Sequence, residues 1–305
     1  MLSHSLQFHS TLTSLDLSFN QIGSNGAQSI AQIIQINTTL TYINVGNNDI
    51  GDDGAISISK SLEYNSTLTK LLLQYNSIGS VGALSQSLFF NSTLTTLHLS
   101  ENNIGPGGAK SITKLIHFNS TITNLNLHMC LFGDDGAKVI SESLLVNSPL
   151  KIVSLGANQI GDKGVQFISQ ALQFNSTLHS LFLPGNKIGP LGTQYISKLL
   201  QFNTTLTNLV LSDNKIGTDG AQSLFQSLHH NFTLTNLNIA NNEIGPAGVV
   251  SLPELIKHNL TLKILNLADN KLTREGSHPI AEALQLNSSI TNLTVYGNMM
   301  TKFGF

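Results

Sequence analysis

Thr11-Leu12-Thr13-Ser14-Leu15-Asp16-Leu17-Ser18-Phe19-Asn20-Gln21-Ile22-Gly23 is one copy of a phrase that runs through the whole chain. Its opening leucine recurs as Leu40, Leu68, Leu94, Ile122, Leu150, Leu178, Leu206, Leu234, Leu262 and Ile290. Each step is 28 residues except Leu68 to Leu94, which is 26. Self-similarity at one fixed period predicts a solenoid, in which each copy is one unit and neighbours stack. About ten full repeats, with partial repeats at both ends, account for residues 1–305 as a single domain. Length alone would suggest two.

Within the copy, Leu12, Leu15 and Leu17 are apolar while Ser14, Asp16 and Ser18 are polar. That alternation predicts a short strand with one buried face. After Gly26 the apolar residues are Ala27, Ile30 and Ile34, and steps of three and four place them on one helical face. Asn37 is read as ending the helix, because Asn tolerates the left-handed C-terminal position. Each repeat is then strand, turn, helix, turn. Asn20, Asn48, Asn76, Asn102, Asn158, Asn186, Asn214, Asn242, Asn270 and Asn298 recur where the chain leaves the strand. A buried turn leaves backbone groups in need of partners, and a stacked column of amides can supply them. Cys130 replaces Asn in one repeat. It is expected to be a buried structural residue, since no His or Asp is patterned beside it to make it a nucleophile.

The pattern Leu-x-x-Leu-x-Leu-x-x-Asn/Cys-x-Leu resembles the leucine-rich repeat, and Cys130 falls where that family allows Cys. The 28-residue period and the recurring Ile-Gly-x-x-Gly-Ala at the helix start resemble the ribonuclease-inhibitor-like class. The resemblance covers essentially the whole chain. It implies an α/β fold, a right-handed leucine-rich-repeat solenoid (a horseshoe) with a parallel β-sheet on the concave face and α-helices on the convex face. It also implies a non-catalytic scaffold that binds protein or peptide. Two alternatives stay open. One is the ligand-sensing repeat region of a larger NOD-like receptor. The other is a GTPase-activating-type regulator; those similar proteins usually carry an acidic tail, whereas this chain ends Thr301-Lys302-Phe303-Gly304-Phe305.

Charged residues make up only 10 % of the chain, the net charge is −2, and Arg274 is the sole arginine. A nucleic-acid or anionic-membrane binder would carry a basic stripe, so neither partner is expected. One cysteine permits no internal disulfide. No apolar run approaches the roughly 20 residues of a membrane helix, and residues 1–20 lack a signal-peptide pattern. These features predict a reducing, cytoplasmic setting. Against that stand the Asn-x-Ser/Thr sequons at Asn37, Asn65, Asn91, Asn119, Asn175, Asn203, Asn231, Asn259 and Asn287. They are read as a by-product of the repeat, because Pro149 destroys the sequon at Asn147 without disturbing the pattern.

No chemistry is expected. His229-His230 is the only adjacent histidine pair, and no His-x-x-x-His or Cys-x-x-Cys spacing occurs, so neither a metal nor another cofactor is expected. Asp52-Asp53 and Asp134-Asp135 precede Gly-Ala at helix starts and are read as caps. No glycine-rich turn ends in Gly-Lys-Ser/Thr, which argues against a nucleotide loop. Phe90, Phe118, Phe174 and Phe202 form one column before the closing Asn and are read as core packing. Repeat three lacks two residues between Ala83 and Leu84, which predicts a shortened or kinked helix. Leu2 to Ser10 matches the tail of a helix without its strand, and Asn298 to Phe305 lacks a following helix. Bare ends of a solenoid expose core leucines. A longer parent chain, or end-to-end association through the termini, would cover them.

The informative departures lie on the strands, where outward positions need not be apolar. Most are Asn, Ser, Thr or Gly. Across strands two to eight they become Tyr42, Leu72, Tyr75, His98, His128, Met129, Ile152, Phe182 and Val210. At the usual strand spacing this patch would extend roughly 29 Å. An apolar patch rimmed by polar residues predicts a docking site for a protein or extended peptide.

Overall fold

A computed structural model describes residues 2–79, 87–145 and 149–299. The chain divides into two compact units, Met1–Asn158 and Gln159–Phe305.

The first unit opens with a helix, Leu2–Gln7, and then alternates strands and helices. Its strands are β1 (Ser14–Asp16), β2 (Tyr42–Asn44), β3 (Lys70–Leu72), β4 (Thr96–His98), β5 (Asn124–Asn126) and β6 (Ile152–Ser154). Between them lie helices Gly23–Ile36, Gly51–Leu62, Gly105–Phe118 and Gly133–Leu145. The shortened helix expected around Ala83 and Leu84 lies outside the described residues. Strands pair in parallel and in chain order, one repeat apart: Leu15 faces Ile43, Ile43 faces Leu71, Leu71 faces Leu97 and Leu97 faces Leu125. These middle residues point inward, and all but Leu15 are buried, as are Ile58, Ile112 and Ile140 of the helices. Each such side chain contributes about 1.5–3 kcal/mol by leaving water.

The second unit repeats the plan with β7 (Ser180–Phe182), β8 (Asn208–Val210), β9 (Asn236–Asn238), β10 (Ile264–Asn266) and β11 (Asn292–Thr294). These also pair in parallel in chain order. Its helices are Asp162–Leu172, Pro190–Phe202, Gly217–Leu228, Gly245–Gly248, Leu252–His258 and Thr273–Leu284. The interruption after Gly248 precedes Pro253, whose ring clashes with a continuous helix and which donates no backbone hydrogen bond.

The expected amide column is present. Asn48 donates its backbone N–H to Asn76 Oδ1 at 3.0 Å, and Asn76 Nδ2 donates to the carbonyls of Val45 and Leu73. Asn242 and Asn270 are linked the same way in the second unit.

A second column stands where the sequence suggested only helix ends. Asn37 is extended (φ −71, ψ 132), not left-handed. Its Nδ2 donates to the carbonyls of Leu6 and His9, while its Oδ1 accepts from Thr39 N and Leu40 N. Asn is therefore selected for its four-bond amide rather than for backbone tolerance. The same amides at Asn65, Asn91, Asn119, Asn175, Asn203, Asn231 and Asn259 are buried. A glycan has no room on these nitrogens in the folded chain, so the sequons follow from the ladder.

Two other expectations need correction. Phe90, Phe118, Phe174 and Phe202 are exposed, not core. Phe118 follows buried Ile116 by two residues, a rotation of about 200° that turns it outward. Asp52 does not cap its own helix. Its Oδ1 accepts from Gly79 N in the next repeat at 2.7 Å, and Asp162 serves Gly189 N and Gly192 N likewise.

Candidate protein-binding face

Register places the outward side chains in files across each sheet. In the first unit one file is Ser14, Tyr42, Lys70, Thr96, Asn124 and Ile152; the next is Asp16, Asn44, Leu72, His98, Asn126 and Ser154. Lys70 Nζ sits 5.4 Å from the centre of the Tyr42 ring, a cation–π contact that fixes both. Asn44 joins Asp16 and Gln74 through its amide. Tyr42, His98, His128 and Ile152 are half-buried on this face.

Leu72 departs from expectation. It points outward but is only 9 % exposed. Asn44 and His98 flank it on the paired strands, and their close packing covers it. His98 reflects the same crowding, since burial and the Lys70 charge hold its imidazole below the ordinary value.

Tyr75 and Met129 are also placed differently. The strands are three residues long, so both lie in the turn that follows, at φ 57 and φ 52, and His128 lies in that turn beside Met129. That turn position is left-handed in repeat after repeat. It is filled by Asn47, Glu101 and Ala157 in the first unit and by Asp213, Asn241 and Asp269 in the second, with glycine at Gly185 and Gly297. Asn, Asp and Gly tolerate this region; bulky side chains do not. The first unit nevertheless puts Phe19, Tyr75 and Met129 there, 81 %, 57 % and 45 % exposed. Leu131 adds a fourth exposed apolar side chain at positive φ, two residues beyond Met129. Phe19 and Leu131 were missed in the sequence because the strand positions alone were compared. The signal lay in the turn file, whose other members are Asn, Asp, Glu, Ala or Gly.

The second unit carries Phe182 and Val210 side by side on β7 and β8, both half-buried. Its turn files are mostly polar: Asn241 Nδ2 donates to Asp213, and Lys271 pairs with Glu243 at 3.0 Å, but Met299 stands at φ 53 in the file of Leu131 and is 78 % exposed. Ile264 and Tyr296 are isolated exposed apolar groups there.

Cys130 is buried, and its thiol donates to the Leu99 carbonyl. Burial pushes its pKa up to about 12, so it is protonated at neutral pH and a poor nucleophile. Among the described residues, no group of three His, Cys, Asp or Glu side chains could hold a metal ion. No described helix is long and apolar enough to cross a membrane.

Stacked repeats with an amide ladder and an outward-facing parallel sheet define the class. The family profile "Leucine Rich repeat" matches residues 8–31, 37–59, 64–85, 90–112, 146–169, 202–225, 230–252 and 258–281. The chain belongs to the leucine-rich repeat family, whose repeats form protein-binding scaffolds. No match was found among curated protein sequences. Among solved structures, an internalin from Listeria monocytogenes is similar at 20 % identity and TM-score 0.49, covering 98 % of this chain and 84 % of that one. The actin-binding site 2 of leiomodin-1 is similar at 24 % identity and TM-score 0.44, covering 48 % of this chain and 86 % of that one.

Proposed function

We propose that the chain is a non-catalytic scaffold whose concave sheet face and adjoining turns bind a protein or an extended peptide. The contact is centred on residues 1–158, with Tyr42, His98 and Ile152 on the sheet and Phe19, Tyr75, His128, Met129 and Leu131 on the turns. Phe182 and Val210 provide a smaller apolar contact within residues 159–305. Leu72 supports its neighbours from beneath.

One observation carries this reading. Bulky apolar side chains occupy left-handed turn positions while remaining exposed. Each holds a conformation that opposes folding by about 1–2 kcal/mol, and solvent gives nothing back. Exposed aromatic and Met side chains are the anchors that protein interfaces favour. The near-neutral surface with one arginine suits such a partner better than nucleic acid or an anionic membrane. The 28-residue period supports the ribonuclease-inhibitor-like class and one repeat domain over residues 1–305. A reducing, cytoplasmic setting fits the buried free thiol and the enclosed sequon amides.

The test compares proteins retained from cell extract by the wild-type chain and by a His98→Asn, Ile152→Asn variant. Asn occupies the same files at Asn126 and Asn124, so the fold is kept. The variant should lose the specifically retained proteins. Equal retention would remove the sheet face from the reading.

A further inference from the structure

A second apolar row lies away from the sheet face, at the C-terminal ends of the helices. In the first unit it consists of Phe8, Ile36, Tyr64, Phe90 and Phe118, each immediately before the residue of the second amide ladder. That ladder sets the row: Asn37 donates to His9 O, Asn65 to Asn37 O, Asn91 to Asn65 O and Asn119 to Asn91 O. Every rung holds one apolar tip in line with the next. Exposure runs from 44 % at Ile36 to 78 % at Phe90. Phe118 touches Phe89 and His117, with ring centres 5.2 Å and 4.7 Å away, and is still largely open.

We propose that this row pairs with the same row of a second copy of the chain, giving a two-fold dimer along the helix-end edge of residues 1–158. Three features select that occupant. The first is spacing. Tips recur once per repeat, between the strand spacing of about 5 Å and the helix spacing of about 10 Å. A row with one period matches its own copy when run antiparallel, each ring entering the gap between two partner rings at the roughly 4.5–7 Å that aromatic pairs prefer. The second is charge. Glu63 is the only Asp, Glu, Lys or Arg within two residues of any of the five tips, and Lys60 and Lys114 stand one turn before Tyr64 and Phe118, so the edge carries few charges of mixed sign and like edges meet with little repulsion. The third is area. An aromatic side chain offers about 150–250 Å², so the exposed parts of the five tips make an apolar strip of about 600 Å². With the flanking Ser and Thr this approaches the ~800 Å² per partner of a standard interface. The second unit is less regular. Phe174, Phe202 and Leu286 keep the tip there and are exposed, but His230 and His258 replace it in two repeats, where Phe232 and Leu260 stand on the other side of the Asn.

Sedimentation equilibrium of the full chain at up to about 100 µM decides the matter, that range reaching weak dimers. The wild type should reach twice its 32.8 kDa mass. Phe90→Ser with Phe118→Ser should weaken dimerisation roughly thirtyfold or more, the effect expected of interface anchors, with unchanged circular dichroism. Phe232→Ser, in the second unit, should dimerise like the wild type. A wild type that stays monomeric overturns the proposal. So does a Phe90/Phe118 variant that dimerises normally, or a Phe232 variant that does not dimerise. An open-ended series of oligomers would mean end-to-end association and overturn it as well.

Discussion

Cys130 Sγ lies 3.3 Å from the Leu99 carbonyl oxygen, where the neighbouring repeats place an asparagine Nδ2. The thiol reproduces the donor half of the ladder. It cannot reproduce the amide oxygen that Asn76, Asn102 and Asn158 each offer to the preceding repeat. Cys130→Asn should therefore stabilise the chain by about 1 kcal/mol, the net worth of a regained buried hydrogen bond. Denaturant melts of the two proteins check this. The native thiol should also react slowly with a thiol reagent at pH 8 until the chain is unfolded, because burial keeps it protonated.

Asn119 donates to Leu88 O and Asn91 O and accepts from Thr121 N and Ile122 N. Asn119→Ala leaves these backbone groups buried without partners. A loss of about 3 kcal/mol or more is expected, since each unsatisfied buried group costs about 1–3 kcal/mol. Asn287→Ala, in a partly open copy of the same site, should lose less. Equal losses would deny the ladder its role.

His98 sets a pH dependence. Its folded pKa is lowered by burial and by Lys70, so the unfolded chain binds the proton more readily. Stability is fully present above the unfolded value of about 6.5 and declines as pH falls below it. His98→Asn should flatten that part of the profile, read as melting temperature from pH 7.5 to pH 5. An unchanged slope would mean that His98 is not the titrating group.

The repeat, the strand–helix order and the first ladder were legible because the period is regular and each role has a fixed residue type. Asn48 and Asn76 announce themselves by recurrence. The second ladder was hidden because Asn37 also satisfies a simpler rule, the helix stop. Exposure of Phe118 was hidden because an aromatic in a regular column reads as core, and only the rotation past Ile116 turns it outward. At the candidate face, pleat alternation found Tyr42, His98 and Ile152, but could not tell that Leu72 would be covered by its neighbours. It also carried Tyr75 and Met129 onto strands that end three residues earlier. Comparing turn positions with one another, rather than with strand positions, would have added Phe19.

The central claim is that exposed side chains in left-handed turns serve binding at the expense of folding. The direct measurement takes Tyr75→Asn with Met129→Asn and records thermal stability and partner retention together. The account predicts a variant that melts higher, by relief of about 1 kcal/mol per site, and that no longer holds the partners of the wild type. A variant that is less stable, or that retains every partner, would contradict it.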